Sequence, residues 1–345
     1  MEMLTSMTLA SMWSTIINAF AGWIVNYGWA IIVFTIVLKL ILSPLDILQR
    51  VSSQKQARVM GAMQPELDEI KKKYANNPEK MNAEQNKLYQ KYNSNLKGVC
   101  LPMLISLIVT LVVFFTLYSS IRSLGNEKLY ETYRSLDTTY IEASANVEES
   151  WSEDEKNEYI ALAVQEKYDE QSRENSWLWV KNVWKADTNT SQFVDFEDYW
   201  NYLESNELTA GSTKEEAQAR HEFIVSTIVG DSSDNNGYFV LIILCALVSF
   251  LSQFISTKLL NGKGQKINTM NKVMMAIIPI SMLIFAYTSN VVFTLYIITN
   301  SLMTTIISTI ISLIMRRMNK GKTDKEIILK KKNVEIMEYS RNYKK

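Results

Sequence analysis

An apolar run from Gly28 to Leu48 (GWAIIVFTIVLKLILSPLDIL) carries a lysine, Lys39, near its middle, and no other basic residue occurs in the first 49 positions. At about 1.5 Å per residue, Lys39 lies roughly 16 Å along a helix from Gly28. A cation at that depth in a bilayer costs from about 2.5 to over 10 kcal/mol, depending on how far it snorkels. It needs water, a partner or a purpose, and is therefore a candidate site residue. The alternative is a side chain that reaches the inner headgroups near Asp46.

Four further apolar runs follow, Val99 to Ile121, Gly237 to Leu259, Val273 to Ser289 and Val291 to Met315. Each is about the length a membrane helix needs, the fourth of the five at the lower limit. Ser289-Asn290 is the only polar break between the last two, which read as a tight helical hairpin. The expected fold is all-α: a polytopic membrane protein of five transmembrane helices, with a cytoplasmic helical hairpin and a mostly helical extracellular insertion. The expected boundaries are helices at 27–48, 99–121, 237–259, 273–289 and 290–315, the hairpin at 49–98, the insertion at 122–236, a loop at 260–272 and a tail at 316–345.

Charge sets the expected orientation. Ten Lys or Arg fall between Gln49 and Gly98, four between Ser256 and Lys272 with no acid, and eleven after Met315. Arg122 to Asn236 holds ten basic residues against twenty-five acidic ones. The basic segments belong to the cytoplasm and the acidic one outside, with the amino terminus outside and the carboxyl terminus inside a bacterial cell membrane. In residues 1–26, Leu9, Trp13, Ile16, Ile17, Phe20, Trp23 and Ile24 share one helical face, opposite Ser11, Ser14, Thr15 and Asn18. That pattern reads as an amphipathic helix in the outer interface and not as a signal peptide.

The hairpin reads as two polar helices joined at Asn76-Asn77-Pro78, with Pro65 suited to a first helical turn. Leu67, Ile70 and Tyr74 on one arm face Met81, Leu88 and Tyr92 on the other, a thin stripe that makes a loosely packed element. The insertion has an aromatic cluster at Trp177, Trp179 and Trp184. Cys100 and Cys245 lack metal-site spacing and read as small buried hydrophobes. His221, without nearby Cys or His, suggests no metal site. No nucleotide loop, metalloprotease helix or hydrolase elbow occurs, so neither an enzyme nor a cofactor is expected.

The apolar runs contain scattered polar residues instead: Ser43, Ser106, Thr110, Gln253, Ser281, Thr294, Thr299, Asn300, Ser301, Thr304 and Thr305. Together they offer Lys39 a wet, hydroxyl-rich cavity. Singly, such hydroxyls bond back to their own turns or join helices.

Asn26 to Gln49, Met63-Gln64-Pro65-Glu66-Leu67, Lys73-Tyr74, Lys87-Leu88-Tyr89 and Cys100 to Ile105 resemble the membrane protein insertases of the YidC/Oxa/Alb3 family. The likeness resumes at Trp177 to Asp187, Gln253, Met275 to Pro279, Tyr296 and Asn300. It implies a groove open to cytoplasm and lipid and closed outside, lined by Lys39, Ser43, Ser106, Thr110, Gln253, Tyr296, Thr299 and Asn300. A hydrophilic segment of a nascent membrane protein would enter it while the hydrophobic helix slides into the bilayer along the first and fifth membrane helices. The hairpin, through Gln64, Pro65, Glu66, Tyr74 and Leu88, would catch that segment. Lys39 stands where the family typically has arginine; it keeps the charge and loses the planar fork. Ser106, Ile108, Ser289 and Val291 also depart from the family pattern. Expected partners are nascent membrane proteins, anionic lipid, the ribosome through the basic tail (Arg316 to Lys345), and the Sec translocation channel. The competing class is a small-anion transporter with Lys39 as counter-ion. That class favours inverted repeats, and the chain has no evident internal repeat.

Overall fold

The computed structural model describes residues 2–209, 211–260 and 269–318. Among them are nine α-helices and, two isolated bridges apart, no strand. These are α1 Glu2–Ile24, α2 Tyr27–Lys73, α3 Pro78–Ala145, α4 Glu153–Asn175, α5 Phe196–Ser205, α6 Lys214–Val229, α7 Val240–Leu260, α8 Thr269–Thr288 and α9 Val291–Met318. Most of the loop expected at 260–272 and nearly all of the basic tail lie outside the described residues.

Among the described residues, four stretches are long and apolar enough to cross a membrane: Tyr27–Gly61, Leu104–Ala145, Val240–Leu259 and Val291–Met315. Lys272–Thr288 is apolar but shorter. α2 and α3 are longer than the apolar runs inside them, at 47 and 68 residues. The sequence changes from apolar to polar at about residues 48, 98 and 121, and the helix passes through each change, because neither polar nor apolar side chains break the backbone ladder. Pro65 lies inside α2 and not in a first turn, which corrects the sequence reading. Its ring removes one backbone bond, but Val59, Met60, Met63, Leu67 and Ile70 continue one apolar stripe across it and hold the helix together. Pro78, by contrast, does open a helix, with the Lys80 amide donating to Asn77 Oδ1 at 3.0 Å.

The chain divides into two compact units. The first holds α1, α2 to Leu42, α3 from Leu107, α4 to α6, α7 to Phe254, α8, and α9 to Met303. Its main core is built around the start of α9, where Val291, Val292, Phe293, Leu295, Tyr296, Ile297 and Ile298 are all buried. A helix buried on every face occupies the middle of its bundle. Ile17 of α1 is fully buried in the same core. Two of α1's polar residues are used in packing: Ser14 Oγ lies 2.8 Å from Ser120 Oγ, and Asn18 Oδ1 accepts from the Tyr27 hydroxyl at 3.1 Å. Trp23, at 79% exposure, points away.

The insertion has a second core of Tyr133, Leu136, Ile160, Val164, Phe193, Tyr199, Trp200, Leu203 and Ile224. Ser152 with Glu155, and Thr213 with Glu216, close capping boxes on α4 and α6, while Asp195 caps α5. The second unit contains α2 from Ser43, α3 to Ser106, α7 from Ile255 and α9 from Thr304. Its helical hairpin is held by Met63, Leu67 and Leu88.

Candidate functional site: polar groups buried in the membrane helices

In the first unit Lys39 is only 8% exposed, between buried Leu38 and exposed Leu40. One turn earlier Thr35 is buried and its hydroxyl donates to the Ile31 carbonyl at 2.6 Å. On α9, Tyr296 and Thr299 are buried and Asn300 is half-buried; Gln253 on α7 is also half-buried. Tyr296 has an aromatic setting, 5.5 Å from Phe293 and 6.5 Å from Phe114 between ring centres. Thr110 takes the opposite position, exposed on α3 beside exposed Leu107, Ile108 and Leu111. Several hydroxyls satisfy themselves locally: Ser281 donates to the Ile277 carbonyl at 3.0 Å and Thr294 to the Asn290 carbonyl at 3.2 Å. Ser252 joins two helices, donating to the Ser301 carbonyl at 3.1 Å.

The second unit contains a polar cluster that none of the sequence expectations named. Arg50 of α2 is 5% exposed. Its Nε donates to Ser312 Oγ at 3.0 Å, Nη1 to Ser256 Oγ at 3.0 Å and Nη2 to the Ser256 carbonyl at 3.2 Å. Gln54, one turn on, donates to the same Ser312 hydroxyl at 3.0 Å, and that hydroxyl donates to the Ser308 carbonyl at 2.7 Å. The planar guanidinium thus bonds α7 and α9 to α2, using a fork that a lysine lacks. Buried Ser106 donates to Gln49 Oε1 at 3.1 Å, and Ser52 and Thr257 are buried as well. Ser43 is half-buried.

Periodicity was the available signal. Lys39, Ser43, Asp46, Arg50 and Gln54 follow one another at intervals of four, three, four and four, the spacing of a single helical stripe. By charge counting alone, Arg50 is one of ten cations between Gln49 and Gly98.

In the hairpin, Gln64 and Pro65 are exposed and Glu66 and Tyr74 half-buried, whereas Leu88 is buried with Met63 and Leu67 and packs the hairpin itself. A further buried acid, Asp187, belongs to the insertion within the first unit. Asp187 accepts from the Leu241 amide at 2.6 Å and the Tyr238 amide at 2.8 Å, at the positive end of α7. It also accepts from the Trp179 indole at 3.3 Å. Gly237 makes this possible, because a Cβ there would collide with the carboxylate.

Residues 19–320 match the model of the family described as 60Kd inner membrane protein. A protein of Caldanaerobacter subterraneus named membrane protein insertase YidC is 45% identical over 89 residues, 26% of this chain and 41% of that one. Its namesake in Clostridium tetani is 40% identical over 90 residues, 26% of this chain and 39% of the relative. The Fusobacterium nucleatum relative, of the same name, is 33% identical over 126 residues, 36% of this chain and 60% of its own. The matched stretches cover less than two thirds of each of these relatives. With a family match over most of its length, and with the long apolar helices such a protein needs, the chain belongs to the 60Kd inner membrane protein family.

Proposed function

We propose that the protein is a membrane protein insertase and chaperone of the cell membrane. It passes hydrophilic segments of nascent membrane proteins through a polar groove reaching part-way across the bilayer. It then releases their hydrophobic helices into lipid without nucleotide hydrolysis. In this reading five helices span the membrane, with the amino terminus and the acidic insertion outside and the carboxyl terminus in the cytoplasm.

The observation that carries the reading is the polar character of helices whose outer faces are apolar. Exposed Leu247, Leu251, Leu302, Ile306, Ile310 and Ile314 suit acyl chains, while Lys39, Arg50, Gln54, Ser106 and Ser312 are buried. Polar side chains replace hydrocarbon along part of the path and lower the barrier for a hydrophilic segment. The membrane potential contributes about 2.3 kcal/mol per charge per 100 mV, drawing acidic segments outward past Lys39. Burial of the client's own helix in lipid supplies the rest. Gln64, Pro65, Glu66 and Tyr74 meet the segment first, with Leu88 bracing the hairpin. The names of the relatives support the insertase reading and, with it, nascent membrane proteins as partners. The basic tail adds anionic lipid and the ribosome as proposed partners through sequence-independent charge, with the protein working alone or beside the Sec channel.

Reconstitution into nucleotide-free liposomes tests it. Wild type should insert a short single-spanning protein with an acidic tail, Lys39→Arg should retain most of that activity, and Lys39→Ala should lose about tenfold. Equal insertion by Lys39→Ala and wild type would sink the groove reading.

A further inference from the structure

Beside the point within α3 where its apolar part gives way to polar sequence, the end of α8 and the start of α9 lies a cavity of about 440 Å³. Two cations line it, Arg122 and Lys185, with hydroxyls from Thr188, Thr190 and Ser289. Its walls include Tyr118, Trp184, Tyr287 and Phe293, and no acidic residue lines it. The acid-free lining is notable in a segment, Arg122 to Asn236, with twenty-five carboxylates against ten cations.

The cavity has a defined depth. Arg122 is the first charge after the apolar part of α3, Thr288 ends the apolar α8, and Val291 starts α9. Three apolar stretches therefore meet their polar ends around it, which in a bilayer is the depth of the headgroups and of interfacial Tyr and Trp rings. The loop that carries Lys185 is fixed there: the Val291 amide donates to the Lys185 carbonyl at 2.9 Å and the Val292 amide to the Val183 carbonyl at 3.2 Å.

The lining groups have bonding capacity left over. Arg122 is exposed and has no ion-pair partner among the described residues. Ser289 Oγ is buried without a hydrogen-bond partner. Lys185 uses one of its three ammonium protons on the Phe193 carbonyl. Burial lowers its pKa, and Asp234, Asp195 and Asp198 oppose that shift, as a bound anion would.

We propose that this cavity binds the phosphate of an anionic phospholipid in the outer leaflet, with Arg122 and Lys185 on the phosphate oxygens and the aromatic wall along the glycerol and upper acyl chains. The guanidinium fork and an adjacent ammonium are the side chains suited to phosphate. The surrounding negative charge repels a free anion arriving from solution, whereas a lipid enters sideways from the bilayer. The inference requires only that the apolar part of α3, the end of α8 and the start of α9 reach a membrane surface, and holds or fails independently of insertase activity.

Native mass spectrometry of the full chain, purified in detergent and titrated with phosphatidylglycerol, tests it. Arg122→Gln should weaken the tightest lipid by about tenfold, Arg122→Lys should recover part of the loss, and Lys214→Gln, a cation elsewhere on the insertion, should change nothing. Arg122 is exposed, so all three variants should melt as wild type does. Persistence of the bound lipid in millimolar inorganic phosphate supports a lipid ligand; its displacement would overturn the lipid in favour of free phosphate. Equal lipid binding by Arg122→Gln and wild type would overturn the site itself.

Discussion

Arg50 illustrates how one residue type serves two purposes. As a sequence letter it is one more positive charge after a membrane run, and orientation by charge needs no more than that. In the structure its three donor nitrogens meet Ser312 and Ser256, and hydrogen bonds to a charged group contribute about 1.5–3 kcal/mol each. Arg50→Met should therefore lower the melting temperature in detergent by several degrees. Ser312→Ala, which takes an acceptor from both Arg50 and Gln54, should lower it less. Arg50→Lys should resemble Arg50→Met more than wild type, because one ammonium cannot reproduce three spread contacts. A melting temperature unchanged in Arg50→Met would show that the cluster adds nothing to stability. Lys39 was legible because a lone cation interrupts an apolar run. Arg50 was not, because it stands at the edge of a basic segment and only its tertiary partners distinguish it from its neighbours.

At the scale of elements, the helices were legible and many of their ends were not. Apolar runs long enough to span a bilayer announce themselves through composition, and Asn77-Pro78 marks the turn between α2 and α3 through the fixed φ of proline. The ends at Lys73 and Ala145 lie in polar sequence, where propensity changes little from residue to residue. The start of α7 depends on a distant residue. Asp187 satisfies two of the amides at that end from more than fifty positions away, so no local pattern around Val240 reveals the cap. Asp187→Ala should destabilise the fold by about 1–2 kcal/mol, and Asp187→Asn, which keeps one acceptor, by less. Chemical denaturation followed by tryptophan fluorescence will read both, and a larger loss in the Asn variant would refute the capping role. Gly28 reflects the same kind of long-range dependence: a Cβ there would run into the Trp177 ring, which also meets Trp29 edge-on with 5.6 Å between ring centres.

For the whole molecule, the insertion carries a core of its own, distinct from the one around α9. Asp137 anchors that core, accepting from Arg220 Nε at 2.9 Å and from the Tyr199 hydroxyl at 3.1 Å. His221 packs on Tyr133 and Phe196, with its Nδ1 buried and unpaired. Burial lowers its pKa below the ordinary imidazole value of about 6.5, outweighing the opposing fields of Asp195, Asp137, Glu222 and Asp234. The unfolded chain therefore takes up a proton at a pH where the folded insertion resists it. The stabilisation is complete above about pH 6.5 and is lost as the pH falls through the depressed folded value. Near-ultraviolet circular dichroism of the full chain should show a lower melting temperature at pH 5.5 than at pH 7.5, and His221→Gln should flatten the difference. An unchanged pH dependence in His221→Gln would assign the effect to the carboxylates.

What the sequence alone determined is the helical class, the number of apolar runs, the uneven distribution of charge and the family. These are properties of composition and short-range period, to which lipid and water respond before any tertiary contact forms. Tertiary structure decided which polar residues are buried together. Hydrogen-bond partners of Arg50 lie more than two hundred positions away, and a serine in a membrane helix looks the same whether it bonds its own turn, as Ser281 does, or accepts from a buried arginine, as Ser312 does. Burial and partnership are set by how helices pack, and helix packing is not encoded in any single stretch of the chain.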